Sequence, residues 1–271
     1  MKKEFKFATL IFIGFLLILW LEKPIRELLI SFQIEELTAK YSSGLLVRIV
    51  LIMIGLALVK KLDFRSFSGL VSPGKFTNIQ AVIIPLMFIL GGIFSNWSTY
   101  LNAPTYKLIL FFAFVLSVGM VEELFFRGTI FPLCIQAFKS VHNPILMGAI
   151  VSGSLFGLVH FVNLLNQPDN VAGIVSQAFF ALSIGIFFSG LMVRTENILI
   201  PIVIHALVNF GFGAAELENA NQDLPLNPEE TGLNWNSIIP TTLFFTLIAA
   251  SGIYMILKSN KNLIMKKLGM E

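Results

Sequence analysis

The chain has 271 residues, of which 56% are hydrophobic and only 13% charged, with a net charge of +3. A water-soluble domain carries about 25% charged residues, so this composition excludes an ordinary soluble fold and indicates an all-α membrane protein crossing the bilayer several times. The small positive balance follows the loops instead of forming one basic face, which argues against a nucleic-acid partner, and one cysteine, Cys134, allows neither an internal disulfide nor a thiol-rich metal site.

The N-terminus opens with Lys2, Lys3 and Lys6 ahead of an apolar stretch at 7–21. No small-residue cleavage site follows, because the chain continues Glu22-Lys23-Pro24, so an uncleaved first span is expected. Residues 25–40 set Leu28, Leu29, Phe32 and Leu37 among Arg26, Glu27, Glu35 and Glu36, an amphipathic stretch suited to the membrane interface. Further apolar segments fall at 44–59, 78–95, 106–126, 144–163, 171–193, 198–214 and 236–257. About eight spans in one bundle are expected, in a single membrane domain covering 1–271.

Short cytoplasmic loops collect Lys and Arg. Placing the N-terminus inside puts Lys60, Lys61, Arg65 and Lys75 inside, then Lys139, then Arg194, then Lys258, Lys261, Lys266 and Lys267 of the tail. Of the loops left outside, 96–104 carries no charge, 164–170 carries only Asp169, and 215–235 carries Glu216, Glu218, Asp223, Glu229 and Glu230 and no basic residue. Both termini are therefore expected in the cytoplasm.

Three polar sets interrupt the apolar segments. An ionisable group at the centre of a membrane helix costs about 2.5–3.5 kcal/mol on insertion scales, which makes each set a candidate site. The first is Glu122, Glu123 and Arg127. Helical spacing pairs Glu123 with Arg127 at i, i+4, while Glu122 points about 100° away and has no such local partner. The second is Phe156 and His160, with Asn163 on a nearby face, and the third is His205 and Asn209. Each pair stands one above the other at i, i+4.

A turn at Val141-His142-Asn143-Pro144 leaves arms of nineteen residues back to Glu122 and forward to His160. Equal arms of an antiparallel pair put the two residues level. Arms of that length span about 28 Å, against about 14 Å from Glu196 to His205, so the arms around 127–142 are expected either to project beyond the membrane or to break, with Pro132 the candidate for a break.

Each set alone has a plain structural reading. A Glu–Arg pair can staple helices, and a membrane histidine can simply hydrogen-bond a neighbour. His142 lies in a turn and is assigned no function. Together, a free carboxylate, two histidines and an asparagine on three helices read as a reaction centre. A carboxylate can take a proton from water, and a histidine and an amide can donate to an oxyanion. The set Glu122, His160 and His205 can equally hold zinc with an open water position. The residues alone leave both open.

The three motifs Glu122-Glu123-Leu124-Phe125-Phe126-Arg127, Phe156-Gly157-Leu158-Val159-His160 and His205-Ala206-Leu207-Val208-Asn209 resemble, in order, the E-E-x-x-x-R, F-x-x-x-H and H-x-x-x-N motifs of the CAAX protease and bacteriocin-processing family, called CPBP or Abi. The resemblance covers about 105–214, with the first hundred residues and the last helix contributing only topology. It implies an intramembrane endopeptidase acting on a membrane-associated or lipidated protein or peptide. Glu122 would activate water with His160 as its partner, and His205 and Asn209 would form the oxyanion hole. Glu123, Arg127 and Phe156 would support the site or hold substrate. The resemblance implies a glutamate-type mechanism needing no cofactor in preference to the older zinc assignment. A bacterial cytoplasmic membrane is the expected location. A non-catalytic scaffold or bacteriocin-immunity protein is the alternative, and a transporter is disfavoured because no repeat of broken helices is present.

Overall fold

The computed structural model describes residues 2–70, 78–165, 167–214, 217 and 235–270. Lys75 and the acidic residues of 215–235 lie outside them. Among the described residues the chain is helical throughout, as an apolar chain in lipid must be, because a helix satisfies its own backbone polar groups.

Helix α1 spans Lys3–Trp20 and α2 spans Glu22–Ser31, joined at Leu21 with helical backbone so that the two run on as one apolar rod. The expected amphipathic element at 25–40 is not one element. A turn with Gln33 at positive φ ends α2, and Glu36 begins a new helix, α3, at Glu36–Lys61. Helix α2 lies against α3, tied by Glu22 Oε2 to Arg48 Nη1 at 2.7 Å.

A short helix α4 at Arg65–Ser68 precedes a 3-10 turn at Ile79–Val82, then α5 at Ile83–Ser95 and α6 at Trp97–Asn102. The central rod begins with α7, Thr105–Phe125, passes through a π-helical segment at Phe126–Ile130, and ends with α8, Phe131–Ala137. Helix α9 runs over Pro144–Val159 with Asn143 capping it by accepting from Leu146 N–H at 3.1 Å. A 3-10 segment follows at His160–Leu165, then α10 at Val171–Thr195, α11 at Leu199–Phe212, α12 at Trp235–Leu257 and α13 at Lys261–Lys267.

Six helices among the described residues are long and apolar enough to cross a membrane, and Gln80–Ser95 and Leu199–Phe212 are shorter apolar helices. The outer faces are apolar, with Met87 and Leu247 each 69% exposed. Glycines set the crossings. A Cβ at Gly185 of α10 would lie 2.8 Å from Gly153 Cα of α9, and one at Gly119 of α7 would lie 3.0 Å from Ile202 O and Ala206 N of α11. Small residues at these points let backbones approach where no hydrophobic driving force separates helix from lipid.

The expected break in the central rod lies elsewhere than at Pro132. Pro132 lies just after the π-helical segment, so its missing N–H falls where the regular ladder is already interrupted. The π segment one turn after Glu122 takes up the irregularity instead, as such bulges commonly do beside functional residues. Side-chain hydroxyls donate to carbonyls at its start: Ser152 Oγ of α9 to Phe126 O at 3.1 Å and Thr129 Oγ1 to Phe125 O at 2.6 Å.

Candidate active site

Helices α5, α7, α9, α10, α11 and α12 enclose a cavity of about 350 Å³. Five polar side chains line it, Glu122, His160, Gln177, His205 and Asn209, and the rest of the wall is aromatic and aliphatic. The structure therefore brings together Glu122, His160, His205 and Asn209, which lie on three separate apolar segments of the sequence. His160 is the first residue after α9 and opens the 3-10 segment, so it is not inside a regular helix.

The two glutamates divide. Glu123 has a fully buried side chain, and its Oε1 lies 3.1 Å from Arg127 Nη1 and 2.9 Å from His205 Nδ1. Glu122 is 24% exposed, and its Oε2 lies 3.5 Å from His205 Nε2. Two expectations change. Glu123 is not only Arg127's partner, and the side chain in contact with Glu122 is His205, which spans both carboxylates. An i, i+4 rule applied to α7 sees only neighbours on the same helix, so the third member of the cluster, eighty-two positions downstream, was out of its reach.

Arg127 is 1% exposed. Its ion pair with Glu123 is misaligned, and no Arg127 nitrogen has a well-directed acceptor among the described residues. Three rings surround it, Phe156 at 4.8 Å, Phe188 at 5.5 Å and Phe126 at 6.0 Å from the guanidinium carbon. Such faces attract a cation by their quadrupole, most strongly when it is desolvated. Phe156 also meets His160 at 5.9 Å and His205 at 6.1 Å between ring centroids, so it is the apolar contact shared by all three charged or titratable groups.

Asn163 does not line the cavity. Its Nδ2 donates instead to Gln177 Oε1 at 2.9 Å. The last turn of α11, which carries Asn209, is held from α5 and α6. Asn96 Nδ2 donates to Gly211 O at 3.0 Å, and the Tyr100 hydroxyl donates to Phe210 O while its ring stacks on Phe210 at 4.9 Å. These carbonyls have no partner inside their own helix. Neither Asn96, Tyr100 nor Gln177 carries a sequence signal, because each acts across a tertiary contact.

The expectation that the first hundred residues and the last helix supply only topology is overturned. Ile84, Pro85 and Phe88 of α5 and Phe244, Phe245 and Ile248 of α12 are cavity walls, with Phe88 stacked on Phe244 at 5.3 Å. Cys134 is buried away from the cavity, and His142 lies exposed in its turn. Among the described residues no three His, Cys, Asp or Glu side chains are placed to hold a metal ion, and both His205 nitrogens face carboxylates.

No curated protein and no solved structure matches the chain significantly. The family model for type II CAAX prenyl endopeptidase Rce1-like proteins matches residues 103–211, which contain all three motifs. With its several apolar membrane-length helices, this is an integral, multi-pass membrane protein. Over residues 103–211 the chain is similar to the Rce1-like type II CAAX prenyl endopeptidases, a protease family.

Proposed function

We propose that this protein is an intramembrane endopeptidase that hydrolyses a peptide bond of a membrane-associated or lipidated protein or peptide. The observation that carries the reading is the convergence of Glu122, His160, His205 and Asn209 on one cavity whose remaining wall is almost entirely apolar. A carboxylate, two imidazoles and a carboxamide around shared, largely apolar space serve no packing purpose that apolar residues would not serve better.

Glu122 is the general base. It is the acid that reaches the cavity, and it takes the proton of a water lying between it and His160. Proton removal makes that oxygen the nucleophile toward the scissile carbonyl. His160 accepts a hydrogen bond from the same water and sets its lone pair toward the carbon. The negative charge that develops on the carbonyl oxygen is met by Asn209 Nδ2–H and by the ring of His205. Glu123 fixes the His205 ring through Nδ1 at 2.9 Å, the way a buried carboxylate orients a catalytic imidazole. Arg127 and its rings hold Glu123. Glu122 then returns its proton to the leaving amine. No step runs through a metal ion.

The reading includes eight crossings, the two short apolar helices among them, with both ends on the cytoplasmic side of a bacterial membrane. The basic residues Lys60, Lys61, Arg65, Lys139 and Arg194 support that orientation. The experiment is a comparison of membrane proteomes between cells carrying the wild type and cells carrying Glu122→Ala at equal abundance. An uncleaved precursor accumulating in the variant is expected. Identical proteomes, with the biological activity of the protein intact in the variant, would instead establish a non-catalytic scaffold or immunity protein.

A further inference from the structure

Five polar side chains line the cavity, and four of them belong to the motifs already assigned. The fifth, Gln177, has no role in the chemistry above. It sits on α10, six residues after that helix begins, on a wall otherwise built from Phe180, Ala181, Ile184, Phe187 and Phe188. Gln177 itself is exposed, so its carboxamide stands at the rim of the cavity, where an entering chain can reach it.

One half of the carboxamide is committed. Gln177 Oε1 accepts from Asn163 Nδ2 at 2.9 Å. Asn163 lies three residues after His160 in the 3-10 segment, and residues at i and i+3 eclipse one another in that helix. The bond therefore anchors Gln177 beside the turn that presents His160. It also settles which atoms remain: a side-chain amide has one oxygen and an NH2 group, and with the oxygen engaged the NH2 donors are left for the cavity.

We infer that Gln177 is a substrate-binding residue whose Nε2–H donates to a main-chain carbonyl of the peptide beside the scissile bond. The inference rests on the endopeptidase reading. An extended peptide entering an apolar cavity brings carbonyls that have lost their water. A donor fixed at the His160 side of the cavity stabilises one of them and sets the register of the chain relative to Glu122. Asn163 is a positioning residue that acts through Gln177.

The test uses purified full-length protein in mixed lipid–detergent micelles with a panel of quenched-fluorescent peptides, some ending in a farnesylated cysteine and three further residues and some unmodified. Gln177→Leu raises KM about tenfold with kcat within about twofold of wild type, the worth of one hydrogen bond. Gln177→Glu, whose carboxylate has no donor, raises KM at least as much. Asn163→Leu raises KM by a smaller factor, because the donor remains but is no longer held. Wild-type KM in Gln177→Glu would overturn the inference, since it would show an acceptor role. A fall in kcat at unchanged KM in both Gln177 variants would overturn it too, leaving Gln177 as a mere prop for His160. In either case wild-type cleavage and its loss in Glu122→Gln leave the endopeptidase reading standing. A wild type that cleaves no peptide of the panel brings down both.

Discussion

Replacing Arg127 by Met removes the charge that faces Glu123 and keeps a long apolar side chain inside the ring of Phe126, Phe156 and Phe188. The structure sets the magnitude. Both side chains are shielded from solvent, at 1% and 0% exposure, and their charged atoms are 3.1 Å apart. Breaking a buried pair by removing one partner costs about 3–5 kcal/mol, because the other charge stays buried without compensation. His205 Nδ1 at 2.9 Å offsets part of this, which favours the lower end of that range. Adding Glu123→Gln to Arg127→Met removes the stranded charge and keeps an acceptor for His205, so the double variant loses less than the sum of the two single losses by about 2 kcal/mol, a coupling of the size seen between contacting residues. The assay is unfolding in SDS mixed micelles, followed by tryptophan fluorescence, on the two single variants and the double. Arg127→Met within about 1 kcal/mol of wild type, or a double variant whose loss equals the sum of the singles, would refute the reasoning, since neither fits a coupled buried pair.

Four further outcomes follow from the same geometry. Glu122→Gln abolishes peptide cleavage, a fall of at least about a thousandfold for loss of the general base, while the protein elutes as folded wild type does; residual cleavage within tenfold of wild type removes Glu122 from that role. Cleavage persists after treatment with 1,10-phenanthroline, and an activity lost to the chelator and restored by zinc sinks the metal-free mechanism. Gly119→Val forces a side chain against Ile202 O and Ala206 N, which a Cβ alone would already approach to 3.0 Å, so it pushes α11 and His205 off α7. It costs about 1–3 kcal/mol and most of the activity, and unchanged values of both measurements contradict the crossing. Tyr100→Phe keeps the stack on Phe210 but frees its carbonyl, so kcat falls several-fold with little change in KM, and a rise in KM alone would show that Tyr100 does not act through Asn209.

Much of the fold is legible in the chain because apolar runs in lipid have one solution. Each of the eight apolar segments read from the residues is helical, and what differs is length and continuity. The run at 106–126 does not stop at the polar residues that follow it, since α8 packs into the same core through Phe131, Leu133 and Ile135, each buried. A hydropathy pattern registers transfer from water and cannot register that burial. The amphipathic stretch 25–40 fails for another reason. A single positive-φ turn at Gln33 outweighs a helical period that runs across it.

The candidate site divides along the same line. Glu122 apart from Glu123, Phe156 below His160 and His205 below Asn209 are relations of one helix with itself, and a period of 3.6 residues suffices to state them. The i, i+4 pairing of Glu123 with Arg127 is of that kind, and it is present at 3.1 Å. What only the tertiary structure decided is everything that crosses between helices. His205 joins both glutamates, Gln177 enters the cavity, Asn96 and Tyr100 grip the end of α11, and α5 and α12 close the wall. These contacts depend on crossing points set by Gly119, Gly153 and Gly185, where the absence of a side chain decides how near two backbones come. A sequence states local chemistry at each position, but the distance between two helices is a property of both surfaces at once.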